Sequence, residues 1–325
     1  MSGKRRSPKS KGTLSAIVSI LVFLLLVFTI YQASSGGESS PVSSVPSPTQ
    51  EAAASPRPSE ALPTLGAMDV YIIDVGQGDS IFLRSPSGKT MLVDASEAGD
   101  FEAIDAFLKA QGVTKLDVVV ATHPHSDHIG AMYKVIRAYE IGAFYMPDVT
   151  HTTSTFEKML DALEEKDVSV KRAEASGETY LPWSDDVRVR ILSPIKGSNA
   201  EADDLNDWSV VMHISFGNSS ILLTGDAEGP AETQMLEAYP AEVLRATVLK
   251  AGHHGSSTSS SDAFLDAVNP EIAVISCGEG NDYGHPHTET LERYATRGMV
   301  VYRTDLGGTL HLIFNAQGVS VETEK

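Results

Sequence analysis

The stretch THPHSDHIG, residues 122–130, brings three histidines and one aspartate together within six residues. It directly follows the apolar run LDVVVA (116–121), which is typical of a buried strand. Four side chains of this stretch are of the kind that binds metal ions, namely His123, His125, Asp127 and His128. This loop predicts a metal site at the end of a strand.

The spacing within the loop suggests two cations. In a strand that runs into a loop, side chains at i and i+2 point the same way. We therefore expect His123 and His125 to share one cation, and Asp127 and His128, on the next turn of chain, to face a second. Imidazole and carboxylate ligands suit zinc, and also manganese or iron. The alternative is a polar loop whose histidines merely cap a helix that begins near Ile129.

Composition and charge exclude some classes of protein. The only cysteine is Cys277, which excludes an internal disulfide and a thiolate zinc cluster. The net charge is −18; residues 1–66 carry a balance of +3, so residues 67–325 carry −21. A domain with so large a negative charge is not expected to attract a polyanion through its overall electrostatic field. Any contact with nucleic acid has to be local or helped by bound cations.

The N-terminal residues predict a membrane anchor. Residues 14–31 are almost wholly apolar and uncharged, a length at the lower end of what crosses a bilayer. Positive charges before this run, and none just after it, favour a cytoplasmic tail (1–12), a single-pass anchor in the cell membrane (13–32) and an extracellular C-terminal domain. A signal peptide cleaved near Ala33-Ser34-Ser35, which would give a secreted protein, is the alternative.

A linker and a folded domain follow the predicted anchor. Residues 33–66 are rich in Ser, Pro and Ala and cannot bury enough surface to fold, so we expect a disordered linker and a folded domain over residues 67–325. In that domain, hairpins mixed with strand–helix units predict an α/β sandwich with helices outside stacked sheets. The expected elements include a helix over 129–139 and strands over 209–216 and 243–249.

Three further loops offer ligands or substrate contacts. The run LLTGD (222–226) ends an apolar strand with Asp226, which is suited to bridging two cations; the alternative is a turn or helix-capping aspartate. The run KAGHHGSS (250–257) follows the next strand, and one of its two histidines is expected to bind metal while the other contacts substrate or supports a ligand. In YGHPH (283–287), His285 and His287 are candidate substrate contacts, with a plain surface loop as the alternative.

Two acidic residues are expected to support the ligands. Asp79, in the glycine-rich turn GQGDS (76–80), and Asp94, at the end of TMLVD (90–94), are interpreted as acids that orient the metal-binding side chains. The glycine-rich turn does not precede a helix, so it predicts no dinucleotide site. Asn206 lies on the approach to another strand and is a weaker candidate.

Six motifs together resemble the metallo-β-lactamase superfamily, in its ComEC-type branch, the hydrolase domain of competence channel proteins. They are, in order, DVGQGDS (74–80), MLVDA (91–95), THPHSDHIG (122–130), LLTGD (222–226), LKAGHHGS (249–256) and YGHPH (283–287). The resemblance covers nearly all of residues 68–315. It implies a four-layered αββα sandwich with two divalent metal ions, zinc or alternatively manganese, along one edge of the sheets.

The resemblance also implies roles for individual residues. It gives the first metal to His123 and His125 and the second to Asp127 and His128. Asp226 would be the bridging carboxylate and His253 the last histidine ligand. The family's third histidine for the first metal has no counterpart in residues 203–209, where Asn206 lies instead. That metal would be held more weakly, or completed by water, Asn206 or a distant histidine.

These expectations converge on an extracellular, membrane-tethered metal-dependent hydrolase, with a phosphodiesterase or nuclease favoured. A hydroxide formed at the metals would attack the phosphoester, with Asp127, Asp226 and His254 as predicted catalytic residues. His285, His287 and Asn206 would contact the substrate, which could be DNA, a nucleotide or a cell-envelope phosphoester. Hydrolysis of another ester, a thioester or a lactam is an alternative, as is a weakly catalytic or non-catalytic binding module in DNA uptake or envelope assembly. The oligomeric state is left open.

Overall fold

The computed structural model describes residues 66–197 and 204–325. The predicted tail, the predicted anchor and all but the last residue of the predicted linker lie outside these residues. Within the two described stretches, none of the helices combines the length and hydropathy needed to cross a bilayer.

Two mixed β-sheets form the centre of the structure. The first has the strand order β17-β16-β1-β2-β3-β5-β7-β8. Its strands, in chain order, are β1 (Met68–Ile72), β2 (Ile81–Arg84), β3 (Thr90–Val93), β5 (Val118–Val120), β7 (Phe144–Met146), β8 (Val170–Arg172), β16 (Leu310–Asn315) and β17 (Gly318–Thr323). Pairing is antiparallel from β17 to β3 and parallel from β3 to β8. A separate parallel pair joins β4 (Lys115–Leu116) and β6 (Glu140–Ile141).

The second sheet has the strand order β15-β14-β13-β12-β11-β10-β9. Its strands are β9 (Tyr180–Ser184), β10 (Val187–Ser193), β11 (Val211–Phe216), β12 (Ser219–Leu223), β13 (Val248–Lys250), β14 (Ile272–Ile275) and β15 (Val300–Arg303). The strands from β9 to β12 pair antiparallel, whereas those from β12 to β15 are parallel.

Helices connect the strands. They are α1 (Phe101–Ala110), α2 (Ser126–Ile129), α3 (Met132–Ala138), α4 (Ser154–Glu165), α5 (Gly229–Ala238), α6 (Ala241–Leu244), α7 (Asp262–Val268), α8 (Thr288–Thr296) and α9 (Thr304–Gly307). Short 3₁₀ turns lie at Ala98–Asp100, Leu205–Trp208 and Gly252–Gly255.

Three buried apolar clusters separate four layers. The central cluster joins the facing sides of the two sheets, for example Val70 and Val120 with Ile214 and Val248. A second cluster packs α1, α3 and α4 on the outer side of the first sheet, and a third packs α5, α7 and α8 on the outer side of the second. Apolar side chains on both faces of a sheet require a cover on both sides. The expected αββα arrangement is therefore confirmed for the described residues.

Several expected element boundaries were wrong. Residues 243–249 were expected to form one strand, but α6 ends at Leu244 and β13 begins at Val248, because Pro240 stands at the N-cap of a short helix. The helix expected over 129–139 covers only Met132–Ala138 (α3), since Ile129 ends the preceding α2. Between them lies Gly130, where an added Cβ would be 2.5 Å from the Ala98 nitrogen. The strand expected from residue 209 begins at Val211, because a 3₁₀ turn occupies the preceding residues.

Candidate metal centre

Four side chains from three loops converge at one edge of the sheets. Asp127, His128, Asp226 and His254 each offer one ligand atom, and these atoms lie within 4.8 Å of one another. The Nε2 of His128 lies 3.2 Å from Asp226 Oδ2. The Nε2 of His254 lies 3.3 Å from Asp127 Oδ2 and 3.4 Å from Asp226 Oδ2. Only Asp127 is appreciably exposed, with 29% of its side chain open to solvent.

The two histidines are held in the tautomer that a metal ligand needs. His128 Nδ1 lies 2.8 Å from Asp94 Oδ2, and His254 Nδ1 lies 3.0 Å from the carbonyl oxygen of Ser276. Since a carbonyl and a carboxylate accept hydrogen bonds, each Nδ1 carries the proton of the neutral ring. The Nε2 lone pair of each ring then faces the cluster. Asp94 also accepts hydrogen bonds from the backbone nitrogen and hydroxyl of Thr122, at 2.8 and 2.6 Å.

The cluster fits a divalent cation on the chemistry of its donors. His128 Nε2, His254 Nε2 and Asp226 Oδ1 are buried yet have no hydrogen-bond partner among the described residues. The short nitrogen–oxygen distances around Asp226 thus lack the angles of hydrogen bonds. Buried polar atoms are rarely left unsatisfied in proteins. Two imidazole nitrogens and two carboxylates are a donor set that suits zinc or manganese, and a cation among them would satisfy all three unpaired atoms.

Charge complementarity sets the pKa values of the cluster. Burial alone would raise the pKa of Asp226, but the imidazoles of His128 and His254 lower it well below its ordinary value. Burial would lower the pKa of His254, but the carboxylates of Asp226 and Asp127 raise it to about 9. Burial would also lower the pKa of His128, but the carboxylates of Asp226 and Asp94 raise it well above its ordinary value. Binding of a cation must therefore displace protons from these rings.

A buried lysine supplies a fixed positive charge behind the cluster. Lys250, at the end of β13, has no exposed surface. Its Nζ lies 2.5 Å from Asp79 Oδ2, 3.1 Å from the carbonyl oxygen of Gly225 and 3.9 Å from Asp226 Oδ1. Although burial opposes the charge, Asp79 and Asp226 keep the pKa of Lys250 raised. Asp79 is thus the ion-pair partner of Lys250, and it lies 3.6 Å from His254 Nδ1.

His123 and His125 form a pair beside the cluster. The Nε2 of His123 lies 3.0 Å from the Nδ1 of His125. Burial and the neighbouring charge of His128 hold the pKa of His123 well below its ordinary value, so this ring stays neutral and able to bind a cation. Among the described residues, no third His, Cys, Asp or Glu joins these two in a compact ligand group. Within the described residues, this pair alone would offer a cation two imidazole nitrogens.

The two adjacent histidines play different parts. His254, which was predicted to be a catalytic residue, lies in the four-residue cluster. His253, which was expected to bind metal, pairs through Nδ1 with Glu228 Oε1 at 2.5 Å, and its Nε2 stays 3.8 Å from Asp226 Oδ2. Asn206 donates from Nδ2 to the same Glu228 oxygen at 3.3 Å. The geometry favours His254 over His253 as the metal ligand.

A cavity of about 480 Å³ opens over the cluster. Its walls include Gln77, His125, Ser126, Asp127, Asp204, Asn206, Asp226, His253, His254, Tyr283 and His285. Asn206 and His285, both predicted substrate contacts, therefore face the space in which a substrate would lie. Burial, followed by the charges of His253 and His254, lowers the pKa of His285 to about 4, so this ring is neutral near pH 7.

His287 is placed differently from the sequence expectation. It is not one of the residues that line this cavity. Its Nδ1 accepts a hydrogen bond from the backbone nitrogen of Ser257 at 2.9 Å, and its Nε2 lies 3.2 Å from the carbonyl oxygen of Tyr283. These contacts tie His287 to the backbone of Ser257 and Tyr283, and its contact with substrate stays a prediction.

Three residues of the site escaped the sequence reasoning. Lys250 could have been noticed as a charged residue that closes the apolar run VLK before the glycine–histidine motif. Glu228 carries no such signal, since isolated glutamates are common in loops, and Tyr283 begins the YGHPH motif but was not singled out within it. Only the folded chain brings Glu228 to His253 and Tyr283 to the cavity mouth.

Comparison with known proteins places these observations in a family. Residues 73–279 match the family model of the Metallo-beta-lactamase superfamily. The ComE operon protein 3 of Bacillus subtilis is 29% identical over 259 residues, covering 74% of this chain and 32% of that protein. The competence protein ComA of Neisseria gonorrhoeae is 32% identical over 263 residues, covering 81% of this chain and 34% of that protein. The matched region thus spans about a third of each of these curated relatives.

A solved structure shows a looser likeness. The metallo-beta-lactamase fold protein YhfI from Bacillus subtilis superposes with a TM-score of 0.48 at 13% identity, covering 76% of this chain and 99% of that one.

Proposed function

Because this chain belongs to the metallo-β-lactamase superfamily and resembles its ComEC-type members, we propose that it is a phosphodiesterase that depends on divalent metal ions. The observation that carries the proposal is the four-residue cluster of Asp127, His128, Asp226 and His254. Its donors fit a cation, and it lies at the floor of an open cavity. Relatives named as competence proteins support a nucleic-acid or nucleotide phosphodiester as the substrate class.

The residues divide the work of such a reaction among them. The four-residue cluster would hold one cation, and His123 and His125 would contribute to a second, less completely enclosed one. Divalent cations, zinc or manganese here, lower the pKa of water toward neutrality and neutralise phosphate oxygens. Asp127 and Asp226 would orient the attacking water and pass its proton on to the leaving oxygen as the new P–O bond forms and the ester P–O bond breaks, while Lys250 keeps Asp79 neutralised behind them. Asn206 and His285, on the cavity wall, are placed to contact the substrate.

Electrostatics argue for a local contact with the substrate. The body carries a large negative charge, and carboxylates line the cavity itself. Without bound cations such a surface repels phosphate. We therefore propose that the charge of bound cations would offset that of the cavity carboxylates and so let a phosphodiester approach them. Short single-stranded DNA, a nucleotide or a cell-envelope phosphoester would satisfy this chemistry.

We further propose that the catalytic domain works outside the cell on an N-terminal anchor. The uncharged run over 14–31, with basic residues before it, supports a single-pass segment with its N-terminus inside. The mass of the mature N-terminus, measured on protein isolated from membranes, distinguishes an uncleaved anchor from a cleaved signal peptide. Protection of residues 67–325 from protease added to intact cells would contradict the extracellular location.

A direct assay tests the proposed activity. The purified full chain, loaded with manganese or zinc, is offered bis-p-nitrophenyl phosphate, single-stranded DNA and a chromogenic β-lactam. We expect phosphodiester hydrolysis that EDTA stops and that Asp127→Ala and Asp226→Ala each reduce by at least about 100-fold. His151→Ala is the matched control, because His151 does not line the cavity. Hydrolysis of the lactam alone, or phosphodiesterase activity that survives both aspartate variants, would contradict the proposal.

A binding module without catalysis is the second candidate. The observation that favours it is the His123–His125 pair, which lacks a third ligand within the described residues. The same purified chain decides between the two. The binding module is supported if the chain binds DNA, holds less than one equivalent of metal and hydrolyses no phosphodiester. The same result would contradict the proposal that the protein is an enzyme.

A further inference from the structure

Tyr283 is an exposed aromatic side chain at the mouth of the cavity. It is 66% exposed and lines the same cavity as Asp226 and His254. Its ring lies against that of His285, with centroids 5.6 Å apart and planes 21° apart. The His285 ring in turn lies 6.3 Å from that of His254, at 30°. A row of three nearly parallel rings therefore leads from the ligand cluster to solvent.

The loop that carries Tyr283 is fixed by its own hydrogen bonds. Asn281 Oδ1 accepts from the backbone nitrogens of Tyr283 and His285, at 3.2 and 3.0 Å. Asn281 Nδ2 donates to the carbonyl oxygens of Gly278 and His285, at 2.9 and 2.6 Å. His287 contacts the Tyr283 carbonyl from the other side. The Tyr283 backbone is thus held at the cavity mouth before any ligand arrives, which reduces the entropy cost of using its ring as a contact surface.

An unsatisfied polar atom lies beside this ring. His285 is only 8% exposed, and its Nδ1 is buried without a hydrogen-bond partner among the described residues. The exposed face of Tyr283, backed by the ring of His285, matches a planar heterocycle that stacks on it. The carboxylates of the remaining walls offer no attraction to an anion, so stacking would add affinity that does not depend on charge.

We propose that Tyr283 and His285 form a stacking subsite for one unpaired nucleobase, beside the phosphodiester that reacts at the ligand cluster. This inference rests on the phosphodiesterase function proposed above. A base in a duplex is covered by neighbours on both faces, whereas an unpaired base has a face free to lie on Tyr283. The subsite therefore gives the protein a preference for single-stranded nucleic acid over duplex.

The test compares substrates that differ only in their bases. The manganese-loaded full chain is assayed on a labelled thymidine 12-mer, on a 12-mer of abasic units with the same phosphates, and on a duplex. We expect the ratio of kcat/KM for the thymidine strand over the abasic strand to fall about 5- to 100-fold in Tyr283→Ala. Tyr283→Phe should keep most of that ratio, because it keeps the ring. Tyr180→Ala is the matched control, since Tyr180 is also exposed but lies on β9, outside the cavity.

A binding measurement separates the subsite from the reaction. Fluorescence anisotropy of phosphorothioate versions of the same strands, whose linkages resist cleavage, is measured with manganese bound, for the wild type and for Tyr283→Ala. A wild-type preference for the thymidine strand that Tyr283→Ala loses supports the subsite, even if no strand is cleaved and the proposed reaction fails. Cleavage of both strands with equal kcat/KM, or a preference that Tyr283→Ala retains, overturns the subsite and leaves the phosphodiesterase standing.

Discussion

His253 and His254 are neighbours in sequence but face different partners, because the backbone turns sharply between them. Both residues have left-handed backbone angles, with φ of 45° and 52°. This conformation is uncommon for side chains other than glycine and is often found at functional sites. It sends His254 into the buried cluster and leaves His253 at the cavity wall with Glu228.

This division predicts different effects on metal binding. His254→Ala should lower metal affinity by more than about 100-fold, because it removes a ligand nitrogen; His253→Ala should lower it by about 10-fold, because it removes only a neighbour of Asp226. Isothermal titration calorimetry with zinc or manganese measures both. If His253→Ala is the more damaging change, the two roles are reversed.

Cys277 is predicted to be an inert thiol. It is fully buried, and burial together with the nearby Asp305 carboxylate raises its pKa to about 12. Because the thiolate is the reactive form, alkylation of the native protein by iodoacetamide at pH 8 should be more than about 100-fold slower than that of Leu306→Cys in a Cys277→Ser background. Leu306 is 68% exposed and lies in the same α9 region as Asp305. Equal rates would show that the native thiol is accessible.

The same pKa shift has a consequence for stability. Since the folded-state pKa of Cys277 is raised above the unfolded value, its contribution is fully present below about pH 8.5 and is lost as pH rises toward 12. The free energy of unfolding of Cys277→Ser should therefore depend less on pH above about 8.5 than that of the wild type. Urea unfolding of both proteins at several pH values measures the difference.

At the scale of elements, the site depends on the close backbone approach of the β1–β2 turn to the start of α2. Gly78 has φ of 130°, and an added Cβ would lie 2.5 Å from the Asp127 carbonyl oxygen and 2.7 Å from Ser96 Oγ. The nitrogen of Asp79 donates to the same Asp127 oxygen at 3.1 Å. The β1–β2 turn thereby fixes the start of α2, which carries Asp127 and His128.

The close approach gives a matched pair of glycine variants. Gly88→Ala, at φ of 83° with nothing within 4 Å, should cost about 1 kcal/mol of stability from backbone strain alone. Gly78→Ala should cost about 3 kcal/mol, because the strain is joined by a clash with backbone. It should also weaken metal binding, since it displaces Asp127. Urea unfolding and metal titration test both effects, and equal costs for the two variants would refute the role of the contact.

The success of sequence reasoning differed between strand ends and isolated loops. The site residues at the ends of β5 and β12 could be predicted, because an apolar run followed by His or Asp places those side chains at a sheet edge. The choice between His253 and His254 was not readable, since it depends on two unusual backbone angles. The edge strand β8 was also missed, because all three of its residues are exposed and show no alternation. Tyr283 and Glu228 join the site only through long-range packing.

At the scale of the molecule, the site draws on both sheets. Asp94 and His128 follow strands of the first sheet, whereas Asp226 and His254 follow strands of the second. A cation at the cluster would therefore join the two sheets at their edge. Ligands that bind only the folded state stabilise it by mass action.

Metal should consequently raise the melting temperature of the protein. At a free metal concentration of 100 times Kd, one site adds about 2.7 kcal/mol to the free energy of unfolding. Differential scanning fluorimetry should show a rise with zinc or manganese that EDTA reverses and that Asp226→Asn abolishes. Asp185→Asn, on the turn between β9 and β10, is the control and should keep the rise. A shift of equal size in Asp226→Asn would place the stabilising metal elsewhere.

The return of the chain to the first sheet affects the order in which the protein can be completed. Strand β1 lies between β2 and β16, and the side chains of Asp69 and His311 meet across it although 242 positions separate them in sequence. During synthesis, β1 therefore cannot pair with β16 until almost the entire domain has left the ribosome. For a chain exported as proposed, this delay would keep the domain unfolded while it crosses the membrane. The sandwich would close only after β16 had crossed.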